Sequence, residues 1–398
     1  MSFWADPHAR LRPIHDQAPV LWMDALDAWV VTGRTAVDTA LRSTAVSSHW
    51  ERQRPDAGLA RRHPRLDAML RGWFMLMDPP GHQRLRRTVQ GRFVRRRVEE
   101  DRPALRSAVA RCLDGFSPGR PVDVVADFAE PLSHLVVARV LGVPAEAASR
   151  AAGLVSDIAS FLAQPHKAGF AAAAEAAVDE LAAFYRHLAP GAAPDSAPAG
   201  LLENGADDHL HTAALLTFAG QETTTGLIGA GLVHLLRHEE QYRDLATGRV
   251  SAAAVVEELL RYDTPVPQVP RIALADFDLE GSRVRAGDRL VLFVTAANRD
   301  WSGDSSADVL DCASGRGHLA FGAGVHYCLG APLARVAAQA AFEQWAERFP
   351  HARVLHDSVR WSVGRGYRAL ATALVVPSPH GAAGAVHPTP RKETTHGQ

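Results

Sequence analysis

The segment that decides the fold lies in the C-terminal part of the chain and reads Phe321-Gly322-Ala323-Gly324-Val325-His326-Tyr327-Cys328-Leu329-Gly330. Its glycines allow backbone angles that other residues avoid, and they let the chain pass close to a bulky group. An apolar helix is predicted to begin just after the segment, near Pro332. The N-terminus of a helix stabilises a thiolate through the helix dipole and free backbone N–H groups. This setting therefore suits Cys328 as a metal-bound sulfur.

The other two cysteines, Cys112 and Cys312, lack such a setting, and we interpret them as small buried hydrophobic residues. Three cysteines give no disulfide framework and fit a reducing cytosol. The 398 residues carry a net charge of -1, so the chain lacks the basic excess of a nucleic-acid-binding protein. No apolar stretch has the pattern of a signal peptide or membrane span. We expect a cytoplasmic monomer that binds neither nucleic acid nor a membrane.

Hydrophobic periodicity predicts a mainly α-helical chain with minor β-sheets. An early hairpin joins residues 20–22 to 29–31, and further β-rich zones span 272–294 and 359–376. Residues 191–200 have the composition of a linker, but the chain after them is too helical and apolar to stand alone. We therefore predict one domain over residues 1–376. Residues 377–398 are polar and rich in Pro, Gly, His and Thr, which predicts a disordered tail.

The longest predicted helix, Leu210 to Leu236, is apolar almost all round and should lie buried at the centre of the fold. A buried carboxylate is costly unless it is paired or hydrated, and glycine weakens a helix. Both occur in the middle of this helix, which favours a functional site there; a helix kink with an incidentally hydrated glutamate stays open. The stretch reads Ala219-Gly220-Gln221-Glu222-Thr223-Thr224-Thr225.

The cysteine segment matches the signature F-G-x-G-x-H-x-C-L-G, and the chain from about Pro19 to Pro377 resembles the cytochrome P450 family. The resemblance implies the family's fold, with haem b (iron protoporphyrin IX) between the long central helix and the cysteine loop. It implies that Cys328 is the axial iron ligand and favours cleavage of the O–O bond. Ala219 and Gly220 would leave room for dioxygen. Thr223 would be the catalytic alcohol, and Glu222 the acid that relays protons.

The two propionates of a haem need cationic or hydrogen-bonding partners. By resemblance and by their positions, the candidates are His82 and Arg86 at i,i+4, Arg271 after a proline-rich turn, and His326 in the cysteine loop. Phe321, Gly322 and Gly330 complete the set of residues expected to contact the cofactor.

A second pair of charged residues, Glu258 and Arg261, shares a helix face. The pair resembles the Glu-x-x-Arg pair with which the family supports its cysteine loop, so we assign it a structural role. The family adds an arginine that clasps this pair. Arg316 is the candidate in this chain, although its register is shifted.

The resemblance implies a monooxygenase that inserts one atom of O2 into a small organic substrate by hydroxylation, epoxidation or oxidative cyclisation, and we expect a role in bacterial natural-product biosynthesis. No flavin or nicotinamide fingerprint is visible, so electrons would come from a ferredoxin and a ferredoxin reductase. An arginine-rich run could dock an acidic ferredoxin by charge complementarity; it comprises Arg84, Arg87, Arg92, Arg95, Arg96 and Arg97. The substrate pocket is expected at Phe74, Leu215, Phe218, Pro267, Val269 and Tyr367.

Two other functions stay open at this point. A peroxide-driven peroxygenase would share the fold but would not need the Glu222–Thr223 pair. A haem-binding sensor or non-catalytic recruitment module could lose either that pair or the cysteine, and this chain has both.

Overall fold

The computed structural model describes residues 3–53, 58–192, 196, 198–200, 207–299, 301, 306–364 and 366–378. Helices dominate these residues, and the strands are short. The predicted mainly α-helical fold with minor β-sheets is confirmed. The predicted tail, 377–398, lies outside the described residues except for Pro377 and Ser378.

Most helices follow the apolar periodicity from which the sequence predicts them. With the bounds that the structure gives, they are α1 (Pro7–His15), α2 (Arg34–Arg42), α3 (Trp50–Gln53), α4 (Leu59–Arg62), α5 (Pro64–Arg71), α6 (Gly81–Val89), α7 (Arg95–Asp114), α8 (Glu130–Leu141), α9 (Ala145–Ala163), α10 (Phe170–Leu188), α11 (Asp207–Arg237), α12 (Glu239–Ala246), α13 (Ala252–Tyr262), α14 (Val294–Ala297) and α15 (Ala331–Arg348).

The strands form small sheets in which distant parts of the chain meet. They are β1 (Val20–Met23), β2 (Ala28–Val31), β3 (Val46–Ser47), β4 (Val122–Asp123), β5 (Val269–Ala273), β6 (Phe277–Leu279), β7 (Ser282–Val284), β8 (Arg289–Leu292), β9 (Arg353–Val354), β10 (Arg360–Trp361), β11 (Leu370–Thr372) and β12 (Leu374–Val376).

The largest sheet has the strand order β1-β2-β8-β5-β3. The predicted early hairpin is its edge, with Val20 opposite Val31. Strand β5 runs antiparallel to β8 and places Arg271 opposite Leu290. Alternate residues of a strand point to opposite sides of the sheet. Here Arg271 is buried, while its neighbour Pro270 is exposed.

The central helix α11 contacts α8, α9, α13 and α15. Its N-terminal half, including Leu215 and Phe218, belongs to one apolar cluster with α5, α9 and α10. Its C-terminal half, including Leu227 and Leu232, belongs to a second cluster with α13 and α15. The stretch 219–224 therefore lies between two well-packed halves, which hold it in place as a rigid wall.

The helix that follows the cysteine, α15, approaches the central helix closely because Gly231 has no side chain. A Cβ built at Gly231 would lie only 2.7 Å from Cζ of Phe342 on α15. The glycine therefore lets α15 pack on α11. This contact sets the position of α15, whose N-terminal end follows the cysteine loop.

One helix boundary differs from the prediction. The sequence predicts helices over 83–97 and 102–115, but the break occurs at Val94, which is extended, and α7 runs through Pro103. Phe93 and Val98 on either side of the break join the same apolar cluster as Leu333. Tertiary packing therefore decides where the chain turns. The prediction also omits α12, a short helix with only two buried residues, Tyr242 and Leu245.

Candidate active site

A cavity of about 330 Å³ lies between the central helix and the cysteine loop. Ala219, Gly220 and Thr223 line it from α11, while the sulfur-bearing Cys328 lines it from the loop. Phe321, Gly322 and Gly330 line it as well, so the structure brings the residues expected to contact a cofactor to one space. The long helix and the loop thus face a common cavity, as the sequence predicts.

The cysteine loop turns sharply because two of its glycines adopt positive φ, Gly322 at 69° and Gly324 at 66°. At Gly324 a side chain is also excluded by space, since a Cβ would lie 2.7 Å from the carbonyl oxygen of Leu41. The loop is closed by the Cys328 N–H, which donates to the Phe321 carbonyl oxygen at 2.8 Å. These constraints fix the backbone on which the thiol is mounted.

The environment of Cys328 contains opposing influences on its charge. Burial raises the pKa of the thiol, while the backbone N–H groups of Gly330 and Ala331 and the Arg86 guanidinium lower it. The N–H donors belong to the start of α15, where the helix dipole also favours a negative charge. A cation bound at the sulfur would tip the balance to the thiolate.

One edge of the cavity is unusually rich in cationic or potentially cationic side chains: His82, Arg86, Arg271 and His326 all line it. His82 is 1% exposed, yet neither of its ring nitrogens has a hydrogen-bond partner among the described residues. Arg271 is buried, and its guanidinium donates to the carbonyl of the adjacent Pro270 at 2.7 Å. Burial lowers the pKa of Arg271 to about 10. Such groups require an anionic partner, and the two propionates of a haem fit this requirement.

His326 is held by contacts that the sequence did not indicate. Its Nε2 lies 2.8 Å from Oγ of Ser48, and its ring lies 4.4 Å from the ring of His82. Burial lowers the pKa of His326 to about 3, with a further contribution from the positive charges of the nearby Arg271, His82 and Arg86. The ring is therefore neutral. Ser48 is itself placed by Asp78, whose carboxylate accepts from the Ser48 N–H at 3.0 Å.

On the central helix, the Thr223 hydroxyl donates to the carbonyl oxygen of Ala219 at 2.7 Å. The lone pairs of the Thr223 hydroxyl oxygen therefore remain available to accept a hydrogen bond from a group in the cavity. Glu222 is buried and does not belong to the cavity lining; its carboxylate lies near Tyr367. Gly220 lines the cavity but also has a packing role, because a Cβ there would lie 3.1 Å from Val137 on α8.

The predicted structural pair is present and fully buried. Two guanidinium nitrogens of Arg261 donate to the two carboxylate oxygens of Glu258, each at 2.7 Å. Arg261 also donates to the carbonyls of Asn298, Ala307 and Val309, and Glu258 accepts from the Asp311 N–H at 2.8 Å. The pair therefore supports the segment that leads into the cysteine loop.

Asn298, a residue that no sequence motif indicates, connects this support to the cysteine loop. Its side-chain oxygen accepts from the Leu319 N–H at 2.6 Å, directly before the cysteine loop. Arg316, the candidate for the family's additional arginine, donates to the carbonyl of Ser306 at 3.1 Å. On Glu258 itself, the carboxylate oxygen Oε1 accepts a hydrogen bond from the backbone N–H of Asp311.

Most of the predicted pocket residues line the cavity: Phe74, Leu215, Phe218, Val269 and Tyr367. Pro267 does not; its carbonyl accepts from the Thr295 N–H at 3.1 Å, and its neighbours Pro265 and Val266 line the cavity instead. A wall from α8 is not among the predicted pocket residues. Three valines at helical spacing form it, and the apolar face of that predicted helix was the available signal: Val136, Val137 and Val140.

No family model matches the chain. Individual proteins, however, are similar to it over most of its length. The chain is 33% identical to the vitamin D3 dihydroxylase of Streptomyces griseolus over 370 residues, which cover 88% of this chain and 87% of that protein.

The chain belongs to the cytochrome P450 family. It is also 32% identical to the 20-oxo-5-O-mycaminosyltylactone 23-monooxygenase of Streptomyces fradiae, with 85% of this chain and 80% of that protein covered. Its fold matches the crystal structure of P450BioI in complex with an acyl carrier protein that carries hexadec-9Z-enoic acid. That match has a TM-score of 0.87 at 27% identity and covers 94% of this chain and all of that chain.

The protein is therefore a bacterial-type P450 monooxygenase, an oxidoreductase that incorporates oxygen from O2 with a haem iron cofactor. P450s of this kind take their electrons from redox partners. Among the described residues, no helix combines the length and apolarity needed to cross a bilayer.

Proposed function

We propose that this P450 binds haem b through the Cys328 thiolate and oxidises a small molecule of bacterial biosynthesis. The observation that supports it best is the arrangement of the cavity: a thiol beside helix N–H donors faces a groove in the central helix, with two arginines and two histidines along one edge. Both ring nitrogens of one of these histidines, His82, lack a hydrogen-bond partner among the described residues. Cys328 would hold the iron of a haem in this space, and the arginines and histidines would bind its two propionates. When bound, the haem supplies the activation of O2.

In this proposal, Arg271 and Arg86 bind the propionates as ion pairs, and His82 and His326 donate hydrogen bonds to them. Ser48 holds the His326 ring at the cavity wall through its 2.8 Å contact with Nε2, and Nδ1 would be the nitrogen that donates to a propionate. Arg86 has a second role, because it also donates to the Tyr327 carbonyl at 2.7 Å. It thereby links a propionate to the cysteine loop.

Thr223 and Glu222 handle protons. The Thr223 hydroxyl is oriented by its bond to the Ala219 carbonyl and presents acceptor lone pairs, so it can hold a water molecule in the groove. Glu222, buried on the adjacent position of α11, passes protons from solvent toward that water. The apolar walls from α8 and β5 exclude other water, which limits wasteful side reactions.

We place the electron donor, a ferredoxin reduced by its reductase, on the outer side of the cysteine loop. His326 and Cys328 line the cavity, whereas Val325 and Tyr327 are 48% and 41% exposed. Helix α6 lies against the loop through Arg86 and presents Arg87 to solvent, together with Arg84, which pairs with Asp208 at 2.9 Å. The wider arginine run is less basic than its sequence suggests, because Arg96 and Arg97 each pair with Glu100.

The substrate class is inferred from relatives that act on natural products, among them the tylactone monooxygenase. We also propose that residues 1–376 form one P450 domain. Pairing between β4 and β12, and between β2 and β8, joins early and late parts of the chain and supports this. The monomeric state and cytoplasmic location stay predictions from the sequence.

The experiment that tests the electron route follows reduction of the haem under carbon monoxide. Reduced nicotinamide cofactor and reductase are supplied with or without a [2Fe–2S] ferredoxin. We expect the reduced carbon-monoxide complex to form only with ferredoxin. Turnover of vitamin D3 by hydrogen peroxide alone, at a rate equal to that with the redox partners, would instead establish the peroxygenase alternative.

A further inference from the structure

Two short segments that are neither helix nor strand line part of the cavity. Pro265 and Val266 lie in the chain between α13 and β5, and Tyr367 lies shortly before β11. No helix or strand hydrogen bonds hold these three residues, because they lie outside the regular elements. Other contacts must therefore fix the position of both segments, which we call the two loop walls.

Both loop walls pack on the central helix at Gly226, three residues after Thr223. A Cβ built at Gly226 would lie 2.8 Å from the Arg368 carbonyl oxygen and 3.6 Å from Cβ of Pro265. The absence of a side chain at Gly226 lets the two segments approach the helix this closely. Their positions are thereby set relative to the groove on the same helix.

Arg368 joins the two loop walls directly. Its backbone N–H donates to the Pro265 carbonyl at 2.8 Å, and its guanidinium donates to the Asp263 carboxylate at 2.5 Å. The guanidinium also donates to the Trp4 carbonyl and lies 3.5 Å from the ring centre of Trp361. One side chain thus connects the segment before β5 to the N-terminal segment and to strand β10.

The charge of Arg368 is compensated within the fold. Its side chain is 6% exposed and that of its partner Asp263 is 4% exposed. Burial acts to raise the pKa of Asp263, but the positive charge of Arg368 and the contact with His234 hold it well below its usual value. The second Asp263 oxygen lies 2.6 Å from Nε2 of His234 on α11. With these partners Arg368 does not require an anionic ligand, and it is not part of the cavity lining.

The two halves of this ion pair lie beside the two loop walls in the sequence. Tyr367 directly precedes Arg368, and Pro265 follows Asp263 by two residues. Removing one partner of a buried ion pair leaves a charge in the interior without its counter-ion, which is strongly unfavourable. The pair therefore keeps the loop walls in one arrangement.

We propose that Arg368 is a positioning residue that holds the two loop walls at a fixed separation and so determines how a substrate lies beside the groove of α11. The proposal rests on the proposed function of the same cavity. Arg368 acts through Pro265, Val266 and Tyr367, which line the cavity, and makes no contact with the substrate itself. Without Arg368 the walls would move apart more easily, and a bound molecule would take several orientations.

The test uses two ligands that bind a ferric haem through an imidazole nitrogen: imidazole and 4-phenylimidazole, whose phenyl ring extends into the cavity. Each is titrated into the haem-loaded full-length protein, and binding is followed by the shift of the haem absorption band. The phenyl ring buries apolar surface, so the wild-type protein should bind 4-phenylimidazole about tenfold more tightly than imidazole, or better. The ratio of the two dissociation constants reports how well the loop walls are ordered.

Arg368→Met removes the ion pair and keeps an unbranched side chain. The phenyl ring must then order the loop walls itself, so the preference for 4-phenylimidazole should fall about three- to tenfold, with imidazole affinity unchanged. Trp361→Leu removes the ring stacked on Arg368 but leaves both charges, and it should lower the preference by a smaller factor. If Arg368→Met does not fold, Trp361→Leu decides.

The matched control is Leu245→Ala on α12, a core residue that is 7% exposed and lies outside the cavity lining. A large-to-small substitution in the core lowers stability, but this one should keep the wild-type preference for 4-phenylimidazole. Denaturation midpoints are recorded for all variants. A merely structural role of Arg368 would lower the midpoint without changing the ratio of dissociation constants.

The proposal is overturned if both test variants keep the wild-type ratio, if Leu245→Ala lowers it as much as Arg368→Met, or if the wild-type protein shows no preference for 4-phenylimidazole. The reduced carbon-monoxide spectrum is recorded for each protein. A normal thiolate band with any of those results refutes the role of Arg368 alone. An absent thiolate band in the wild-type protein refutes the proposed function instead.

Discussion

At the scale of single residues, Thr223 gives the sharpest expectation about chemistry. Thr223→Ala removes the hydroxyl that is oriented by the Ala219 carbonyl. We expect the variant to consume reduced nicotinamide cofactor at a similar rate but to form less product and release more hydrogen peroxide. The reason is that the water that delivers protons to the groove is no longer held in place. Thr223→Ser retains a hydroxyl and should stay coupled. Equal coupling in Thr223→Ala and wild type would contradict the role of Thr223.

Arg271 gives an expectation about cofactor retention. Its buried charge is costly: burial lowers the pKa of Arg271 to about 10, although the Asp78 carboxylate acts in the opposite direction. Arg271→Gln should weaken haem binding roughly tenfold or more, the usual worth of a charge-assisted hydrogen bond. The apoprotein should be equally stable or more stable.

The measurements are the rate of haem transfer to apomyoglobin and the denaturation midpoint of the apoprotein. Arg289→Gln, an exposed arginine on the neighbouring strand β8, serves as the control and should change neither. Unchanged haem transfer in Arg271→Gln would remove Arg271 from the propionate site.

The sequence predicts residues that occur in a local motif far better than residues that act across the fold. Cys328, Thr223 and Arg86 stand at motif positions, and all three line the cavity. Ser48 and Asn298 do not stand at motif positions. Nothing along the chain indicates that Ser48 touches His326 or that Asn298 binds the start of the cysteine loop. Their roles depend on contacts between segments that lie far apart in the sequence.

At the scale of elements, the Glu258–Arg261 pair connects α13 to the chain before the cysteine loop. Removing one partner leaves the other charge buried, which costs about 3–5 kcal/mol. We therefore expect Glu258→Gln to lower the free energy of unfolding by that amount and to reduce the fraction of protein that retains haem. Denaturant unfolding and the ratio of haem to protein absorbance measure the two effects.

An exposed pair provides the comparison for Glu258→Gln. Arg12 and Asp16 also form an ion pair at 3.0 Å, one helix turn apart, but both side chains are about half exposed. Asp16→Asn should change the free energy of unfolding by less than about 0.5 kcal/mol. The substitution is made at Asp16 because Arg12 also pairs with Asp308 and lies over the Trp301 ring. If the two substitutions have similar effects, the buried pair is not the support of the cysteine loop.

The helices show which parts of the fold can be predicted from neighbouring residues and which depend on tertiary packing. The central helix is predicted almost to its ends because its apolar run is long and unambiguous. The break at Val94 is not, since the residues on both sides of it favour a helix and only the packing of Phe93 and Val98 against α15 selects the turn. Similarly, α8 is predicted as a helix, but its three valines face the cavity only because of how it packs on α11.

At the scale of the whole molecule, we expect the charge around the cysteine loop to govern association with the electron donor. Arg87 is exposed on α6, next to the helix residue that holds the loop. Arg87→Glu should slow reduction by an acidic ferredoxin several-fold at low ionic strength, and the difference should shrink as salt screens the charges. Reduction by dithionite should be unaffected.

Stopped-flow kinetics across a salt series measures this effect. Arg61→Glu, an equivalent reversal on α4, which packs against α5, is the control. A loss of rate in Arg61→Glu equal to that in Arg87→Glu would mean that the overall charge, not a docking surface, sets the rate.

The central claim is that Cys328 provides a thiolate to the haem iron, and the reduced carbon-monoxide difference spectrum tests it most directly. The wild-type protein and Cys312→Ser, which alters the other buried cysteine, should both show the thiolate band near ~450 nm. Cys328→His should bind haem and show its band at a clearly shorter wavelength. A wild-type protein without the ~450 nm band, or a Cys328→His variant that keeps it, would contradict the claim.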